Sequence, residues 1–291
     1  MEKNCAHGIL LISCPDRRGL IAAVTDFIYT NNGNIEHADQ HVDKKKGIFF
    51  MRIEWSLEGF SIPRESITGE FSPIATKYEM EWQLHFTDYK PKIAIFVSKK
   101  LHCLYDLLYR YKEGQLNFEI PLIISNHPNA GELVESFGIE FMEFPIDKEN
   151  KKQQEKEELR LLKEKEVELV VLARYMQILT KEFVDEFPNN IINIHHSFLP
   201  AFMGAKPYDQ AYQRGVKIIG ATSHYITEEL DSGPIIEQDV VRVSHRNSIP
   251  DMQRKGEDLE KSVLGRALSW HLERKILVYG TNEGSKTVIF D

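Results

Sequence analysis

Two folding patterns meet in the stretch Thr87-Asp88-Tyr89-Lys90-Pro91, which is followed directly by Lys92-Ile93-Ala94-Ile95-Phe96-Val97. The first five residues are mostly polar and end in proline, as is typical of a linker. The six that follow are mainly apolar and have the length of a buried strand. We therefore divide the chain into a first domain at residues 1–86, a linker at 87–91 and a second domain at 92–291.

Before the linker, short apolar runs alternate with helical patterns. Strands are predicted at 9–13, 35–42, 48–55 and 80–86, and helices at 20–29 and within 63–78. Gly69 and Pro73 lie in the span of the second helix and should kink it or delay its start. The order βαββαβ predicts an antiparallel sheet with two helices on one face.

After the linker, apolar runs at 92–97, 120–125, 141–145 and 169–173 alternate with helical segments. This alternation is typical of a parallel sheet that is buried on both faces. The charge-rich stretch 148–165 is predicted to be a surface helix, because its acidic and basic residues are interspersed and its leucines at 159, 161 and 162 give it an inner side. A final strand is expected at 286–290, and the whole chain is predicted to be an α/β protein.

Composition excludes several classes of partner. The 291 residues carry a formal net charge of -8, so a partner with a phosphate backbone is disfavoured and we expect no nucleic-acid binding. No apolar run approaches the roughly 18 residues that span a bilayer, and the first residues lack the features of a signal peptide. The three cysteines are odd in number and show no CxxC spacing. We therefore expect a cytoplasmic protein with reduced thiols, no membrane association and no bound metal.

Three polar residues could carry out acyl chemistry. Asn193 and His195 lie two apart at the end of an apolar run, so in a strand both side chains point to one face, at the carboxyl end where α/β ligands bind. Together they could donate hydrogen bonds to a developing oxyanion. Asp231, in the turn-rich segment 228–234, could stabilise an imidazolium or relay a proton. Taken alone, Asn193 and His195 are also typical of polar residues that are simply hydrogen-bonded at a strand end. Asp231 alone is typical of a turn residue that bonds its own backbone, and His224 could orient Asp231 or simply be a core histidine.

The motifs that surround these residues resemble a known family. Asn193-Ile194-His195-His196-Ser197-Phe198-Leu199-Pro200 and Asp231-Ser232-Gly233-Pro234 are similar to the formyltransferase family that uses 10-formyltetrahydrofolate. The resemblance implies a Rossmann-like, mostly parallel sheet, with Asn193, His195 and Asp231 as the catalytic residues. It implies no cofactor, since folate is the substrate. It also implies a folate-binding pocket formed by Tyr175, Met176, Gln177, Ile178, Leu179, His224, Ile226, Thr227 and Leu230.

Two departures from relatives within that family bear on the formyl acceptor. Members that formylate a sugar nucleotide have a glycine-containing phosphate loop where this chain has Ser98-Lys99-Lys100-Leu101-His102, and arginine where it has Gln177. The resemblance is therefore closest to a branch of the family whose formyl acceptor is water. The reaction of that branch releases formate for purine synthesis and balances one-carbon pools. Formyl transfer to an amine remains the alternative. A sensor without catalysis is disfavoured, because it would have no need of Asn193, His195 and Asp231 together.

The first domain resembles an ACT domain in its βαββαβ order and in its Pro15-Asp16-Arg17-Arg18-Gly19 turn. ACT domains commonly bind small amino acids between copies, so the resemblance implies a homo-oligomer, a dimer or a tetramer, with an amino-acid effector. A role in oligomerisation alone stays equally open. The implied effector residues are Asp16, Arg17, Gly19, Leu20, Asn34 and Ile35.

Overall fold

The N-terminal part of the chain folds in the predicted βαββαβ order. The computed structural model describes residues 6–201, 207–280 and 284–290. The first elements are β1 (His7–Pro15), α1 (Leu20–Thr30), β2 (Asn34–Asp43), β3 (Ile48–Ser56), α2 (Ile67–Tyr78) and β4 (Glu81–Phe86). A 3₁₀ turn at Arg64–Ser66 precedes α2, which continues through Pro73. The expected late start of this helix is thus confirmed.

The four strands form one antiparallel sheet in the order β2-β3-β1-β4. Ile12 pairs with Met51 and Leu10 with Ile53, and alternate residues of both strands belong to one buried cluster. That cluster also contains residues of α1 and α2. Because alternate residues of a strand point to one face, both helices pack on the same face of the sheet, as predicted.

The second part of the chain is built around a larger sheet. Its elements are β5 (Ile93–Val97), α3 (His102–Lys112), β6 (Leu122–Ser125), α4 (Gly131–Ser136), β7 (Glu140–Glu143), α5 (Lys151–Glu164), β8 (Leu169–Leu172), α6 (Lys181–Asp185), β9 (Ile191–His195), α7 (Pro207–Arg214), β10 (Ile218–Tyr225), β11 (Ile235–Arg242) and α8 (Ile249–Leu272). A small sheet of β12 (Ile276–Tyr279) and β13 (Lys286–Ile289) follows, which confirms the predicted final strand.

The seven-stranded sheet has the order β11-β10-β9-β8-β5-β6-β7. The strands β9, β8, β5, β6 and β7 run parallel. The apolar residues of β5, β6, β8 and β9 are buried on both faces, whereas those of the edge strand β7 are only partly buried. The strands β10 and β11 run antiparallel to their neighbours. The mostly parallel sheet is therefore confirmed. The strand β10 matters for the site, because its antiparallel register pairs Thr222 with His195 and His224 with Asn193.

The chain forms two compact units that divide close to the predicted linker. One contains the residues up to Tyr89 together with Glu273–Leu277 and the residues from Val288 onward. The other contains Lys90–Leu272 and Val278–Thr287. In the first unit, the buried guanidinium of Arg52 donates to the carbonyl of Glu273 at 3.1 Å and to that of Arg274 at 3.0 Å. Among the described helices, none is both long and apolar enough to cross a membrane.

Candidate functional site

Asn193 and His195 lie at the carboxyl end of β9, between two other strands. Asn193 is paired with Leu172 of β8 on one side and with His224 of β10 on the other. His195 is opposite Thr222 of β10 and is only 7% exposed. The alternation of the strand therefore directs both polar side chains to one face, at the edge of the sheet where the sequence predicted them.

Asp231 reaches this edge from a tight turn after β10. Its backbone is left-handed, with φ 55°, a conformation that asparagine and aspartate tolerate better than most residues. A Cβ at Gly233 would lie 1.8 Å from the carbonyl oxygen of Tyr225, so only glycine fits there. The amide of Tyr225 donates to Pro234 at 3.0 Å and closes the turn. The motif thus brings the Asp231 carboxylate to 3.2 Å from Nδ1 of His195.

His224 is fully buried and fixes the orientation of Asn193. Its Nδ1 lies 2.9 Å from the carbonyl oxygen of Tyr225, which can only accept a hydrogen bond, so Nδ1 carries the proton. Burial lowers the pKa of His224, which keeps the ring neutral and leaves Nε2 as an acceptor. Asn193 Nδ2 donates to it at 3.2 Å. Asp231 Oδ1 lies 3.8 Å from the same nitrogen.

The charges of the site favour an ionised carboxylate beside an imidazole. The hydrogen bond from His195 lowers the pKa of Asp231, so that carboxyl is ionised at neutral pH. His195 Nε2 is buried and has no hydrogen-bond partner among the described residues. A buried polar atom of this kind requires an explanation, and reactive groups are one. The site therefore combines an amide, an imidazole and an ionised carboxylate, a set of groups that suits acyl chemistry.

The loop that follows β9 is held by residues that sequence analysis did not single out. Thr222 Oγ1 accepts from the amide of Leu199 at 3.0 Å and donates to the carbonyl of Ser197 at 2.9 Å. Gln238 donates to Thr222 Oγ1 at 2.9 Å and to the carbonyl of Leu199 at 3.0 Å. Thr222 and His224 are two apart on β10 and share a face. Polar residues at alternate positions of this strand were the sequence signal that could have identified Thr222.

A buried ionic cluster lies next to His196. Glu260 of α8 is 1% exposed and contacts His102 Nε2 at 2.8 Å, Tyr208 Oη at 3.0 Å and Arg174 Nε at 3.3 Å. The ring of His196 lies between those of His195 and Tyr208, at centroid distances of 5.1 Å and 6.1 Å.

Burial, with the charge of Arg174 adding to it, lowers the pKa of His196 to about 4. His196 is therefore neutral near pH 7. The sequence signal for this cluster was Glu260 itself. This charged residue lies four positions from both Gly256 and Leu264, on the buried side of α8.

Two groups of residues have the composition of a metal site. His102, Cys103 and Glu260 are close together, but the guanidinium of Arg174 lies against the same Glu260 carboxylate, and burial raises the pKa of the Cys103 thiol. Both effects oppose cation binding. His37 and His41 have an HxxxH spacing that the sequence prediction of no metal did not take into account. They lie exposed on the extended strand β2, where four residues span roughly 13 Å, too far for one ion.

The residues predicted to bind folate lie in two segments, one that follows β8 and one that includes the end of β10 and the turn after it. Tyr175 is buried, with its ring edge against Phe96 at 5.2 Å. Leu179 and Ile226 are partly buried against the same core cluster as Tyr175. Large exposed apolar side chains are contributed by Met176, Ile178 and Leu230, which are 59%, 61% and 59% exposed. Of the other three, Gln177 and Thr227 are partly exposed, whereas His224 is fully buried.

The six residues predicted for effector binding are not all brought together. Leu20 packs in the core, and Arg17 forms an ion pair with Glu79 at 2.6 Å. Gly19, with φ 91°, and Ile35 line a shallow depression of about 760 Å³ between α1 and α2. Asp16 donates its amide to Gly47 at 2.8 Å, and Asn34 begins β2 opposite Ser56.

Comparison with known proteins matches both units of the chain. The family model described as Formyl transferase matches residues 91–268, and the one described as ACT domain matches residues 8–71. A protein from Synechocystis sp. named formyltetrahydrofolate deformylase is 56% identical over 281 residues, which are 97% of this chain and 97% of that protein.

A Bacillus subtilis protein with the same name is 47% identical and covers 100% of this chain and 96% of its own length. The crystal structure of a formyltetrahydrofolate deformylase from Pseudomonas syringae pv. tomato is 45% identical with a TM-score of 0.96, over 100% of this chain and 96% of that one. The chain therefore belongs to the formyltetrahydrofolate deformylase family, in which an ACT domain precedes a formyl transferase domain.

Proposed function

We propose that this member of the family hydrolyses 10-formyltetrahydrofolate to formate and tetrahydrofolate, with Asn193, His195 and Asp231 as the catalytic residues. The observation that carries the proposal is the 3.2 Å contact between Asp231 and His195, beside an Asn193 whose amide is held by His224. Family membership agrees with it, because relatives that align over nearly the whole chain carry the name of this reaction.

The proposed reaction begins with a water molecule that Asp231 orients toward the formyl carbon. Attack forms a C–O bond and moves charge onto the formyl oxygen. Asn193 Nδ2 has a second N–H beyond the one donated to His224, and His195 Nε2 has no other partner among the described residues, so hydrogen bonds from both stabilise this oxyanion. One proton of the water passes through Asp231 and His195 to N10 as the C–N bond breaks, and the other is lost to solvent as the product ionises to formate. Formate and tetrahydrofolate then leave, and no cofactor takes part.

Water is favoured as the acceptor by the surroundings of Ser98. The Ser98 hydroxyl donates to Asn126 at 2.7 Å and accepts from the amide of Met176 at 2.9 Å. Ser98 is the first residue of the segment that would have to bind a phosphate, and its hydroxyl already forms hydrogen bonds with protein groups. The segment also lacks a glycine. Formyl transfer to an amine on a sugar nucleotide is therefore the less supported alternative.

The Asp231→Asn variant tests the assignment of the catalytic carboxylate. Purified protein is mixed with 10-formyltetrahydrofolate without any amine, and formate is measured. We expect the wild type to release formate, and Asp231→Asn to lose at least about 100-fold in rate while it still binds tetrahydrofolate. Asp258→Asn, which changes an exposed aspartate on α8, is the matched control. Near-normal turnover by Asp231→Asn would refute the assignment.

We further propose a cytoplasmic role in supplying formate for purine synthesis, under control of a small amino acid bound by the ACT domain of a homo-oligomer. The depression lined by Gly19 and Ile35 is the part of the predicted effector region with room for such a ligand. Titration calorimetry with glycine and with methionine, alongside sedimentation, tests the idea. Heat and a change in rate would support an effector. If neither heat nor a change in rate is observed, oligomerisation remains as the role of the domain.

A further inference from the structure

A stripe of charged residues on α5 faces the protein interior. Lys151, Glu155 and Glu158 follow one another at i, i+4 and i+7, which places them on one side of the helix. Glu155 is 3% exposed and Glu158 is 0% exposed. Carboxylates are almost never buried to this extent without a partner. The helix was predicted to have a leucine-lined inner side, yet two acids share that side with Leu162.

Two of these residues hold the backbone of the segment 174–180. Lys151 Nζ donates to the carbonyl of Ile178. The Glu155 carboxylate accepts from the amide of Thr180, at 3.3 Å to each of its oxygens. The segment, all of which is described, contains no helix or strand. Backbone groups in such a segment need partners from elsewhere, and α5 supplies them.

Glu158 contacts the side chain that anchors the start of the segment. Its Oε1 lies 3.5 Å from the hydroxyl of Tyr175, and its Oε2 has no hydrogen-bond partner among the described residues. Burial, together with the charge of Glu155, raises the pKa of Glu158 to about 7, against the lowering effects of Tyr175 and Lys151. A costly buried acid of this kind points to a role beyond packing.

The outer side of the same segment presents the apolar side chains of Met176 and Ile178, which are 59% and 61% exposed. We propose that Lys151, Glu155 and Glu158 are positioning residues, which hold the segment 174–180 in the shape that binds folate. This inference rests on the proposed function. It predicts that the α5 face controls substrate affinity and leaves the chemical step at Asp231 and His195 unchanged.

Kinetics of Glu155 variants test the inference in the full-length protein. We expect Glu155→Ala to raise KM for 10-formyltetrahydrofolate about 10-fold with kcat within about twofold, as for loss of a charged hydrogen bond that shapes binding alone. Glu155→Gln should recover most of the affinity, because its carboxamide oxygen still accepts from Thr180. Glu157→Ala, on the exposed side of α5, is the matched control.

Lys151→Met gives a second, independent variant, because Lys151 lies at the start of α5 and its loss leaves no buried cavity. It removes the donor to Ile178 and should raise KM several-fold at constant kcat. If Glu155→Ala does not fold, the KM of Lys151→Met decides whether the inference holds. Values of KM equal to that of Glu157→Ala in the folded variants would overturn the inference.

Calorimetric titration with tetrahydrofolate separates this inference from the proposed function. If the wild type binds tetrahydrofolate more tightly than Glu155→Ala and Lys151→Met but releases no formate, the positioning role stands and the hydrolase proposal fails. If the wild type hydrolyses the substrate and all variants bind and turn over alike, only the positioning role is refuted.

Discussion

Gly233 controls where Asp231 lies. The backbone at Gly233 passes so close to the Tyr225 carbonyl that a Cβ would stand 1.8 Å from its oxygen. Any side chain there must push the turn away from β10, and Asp231, two residues earlier, would move with it. The 3.2 Å contact between Asp231 and His195 therefore depends on a residue that has no chemistry of its own.

We expect Gly233→Ala to reduce kcat/KM by about 100-fold, since displacements near 1 Å in a reacting group can cost that much. The melting temperature should fall as well, because backbone atoms cannot move aside as a flexible side chain can. Gly69→Ala is the control. Gly69 lies inside α2 with open space around it, and alanine there should stabilise the protein by about 0.5–1 kcal/mol without changing the rate. Equal activity of the two variants would contradict this role for Gly233.

At the scale of the element, α5 combines a solvated side with a side that carries buried acids. Arg160 forms exposed ion pairs with Glu157 and Glu164, as the interspersed charges of this stretch predict. Glu158, one residue from Glu157, is fully buried. The buried acid Glu158 therefore makes the stability of the fold depend on pH.

The raised pKa of Glu158 predicts a loss of stability with rising pH. The folded state keeps a proton up to a pKa of about 7, whereas the unfolded chain releases it near the ordinary value of 4.5. The free energy of unfolding should therefore decrease between pH 4.5 and pH 7, by up to about 3 kcal/mol, and lose nothing further from this group at higher pH.

Thermal melts of wild type and Glu158→Gln from pH 5 to pH 8.5 check this expectation. The variant cannot ionise at this position, so its melting temperature should change less with pH than that of the wild type. Glu157→Gln, which changes an exposed neighbour, should retain the slope of the wild type. Parallel curves for wild type and Glu158→Gln would show that Glu158 does not titrate in this range.

At the scale of the whole molecule, much of the order of elements was predictable, because several strands contain short apolar runs that are bounded by turn residues such as glycine, proline and asparagine. The βαββαβ order and the mostly parallel sheet are both confirmed. Asn193 and His195 could be placed on one strand face because that inference needs only a period of two.

Contacts between distant elements could not be predicted in this way. The contact of His224 with Asn193 depends on the register between β9 and β10, and no local pattern specifies that register. Arg174 and Glu260 meet only after the chain has folded. The burial of Glu155 and Glu158 was missed because a run of mixed charges indicates a solvated helix, and the partner that buries one side lies outside the run.

Oxygen-isotope labelling tests the central claim most directly. The wild-type protein is incubated with 10-formyltetrahydrofolate in water enriched in ¹⁸O, with no amine present, and the products are analysed by mass spectrometry. Attack by water predicts formate that carries ¹⁸O, formed in equal amount to tetrahydrofolate. Formyl transfer that proceeds only after an amine is added, with no labelled formate, would contradict the account.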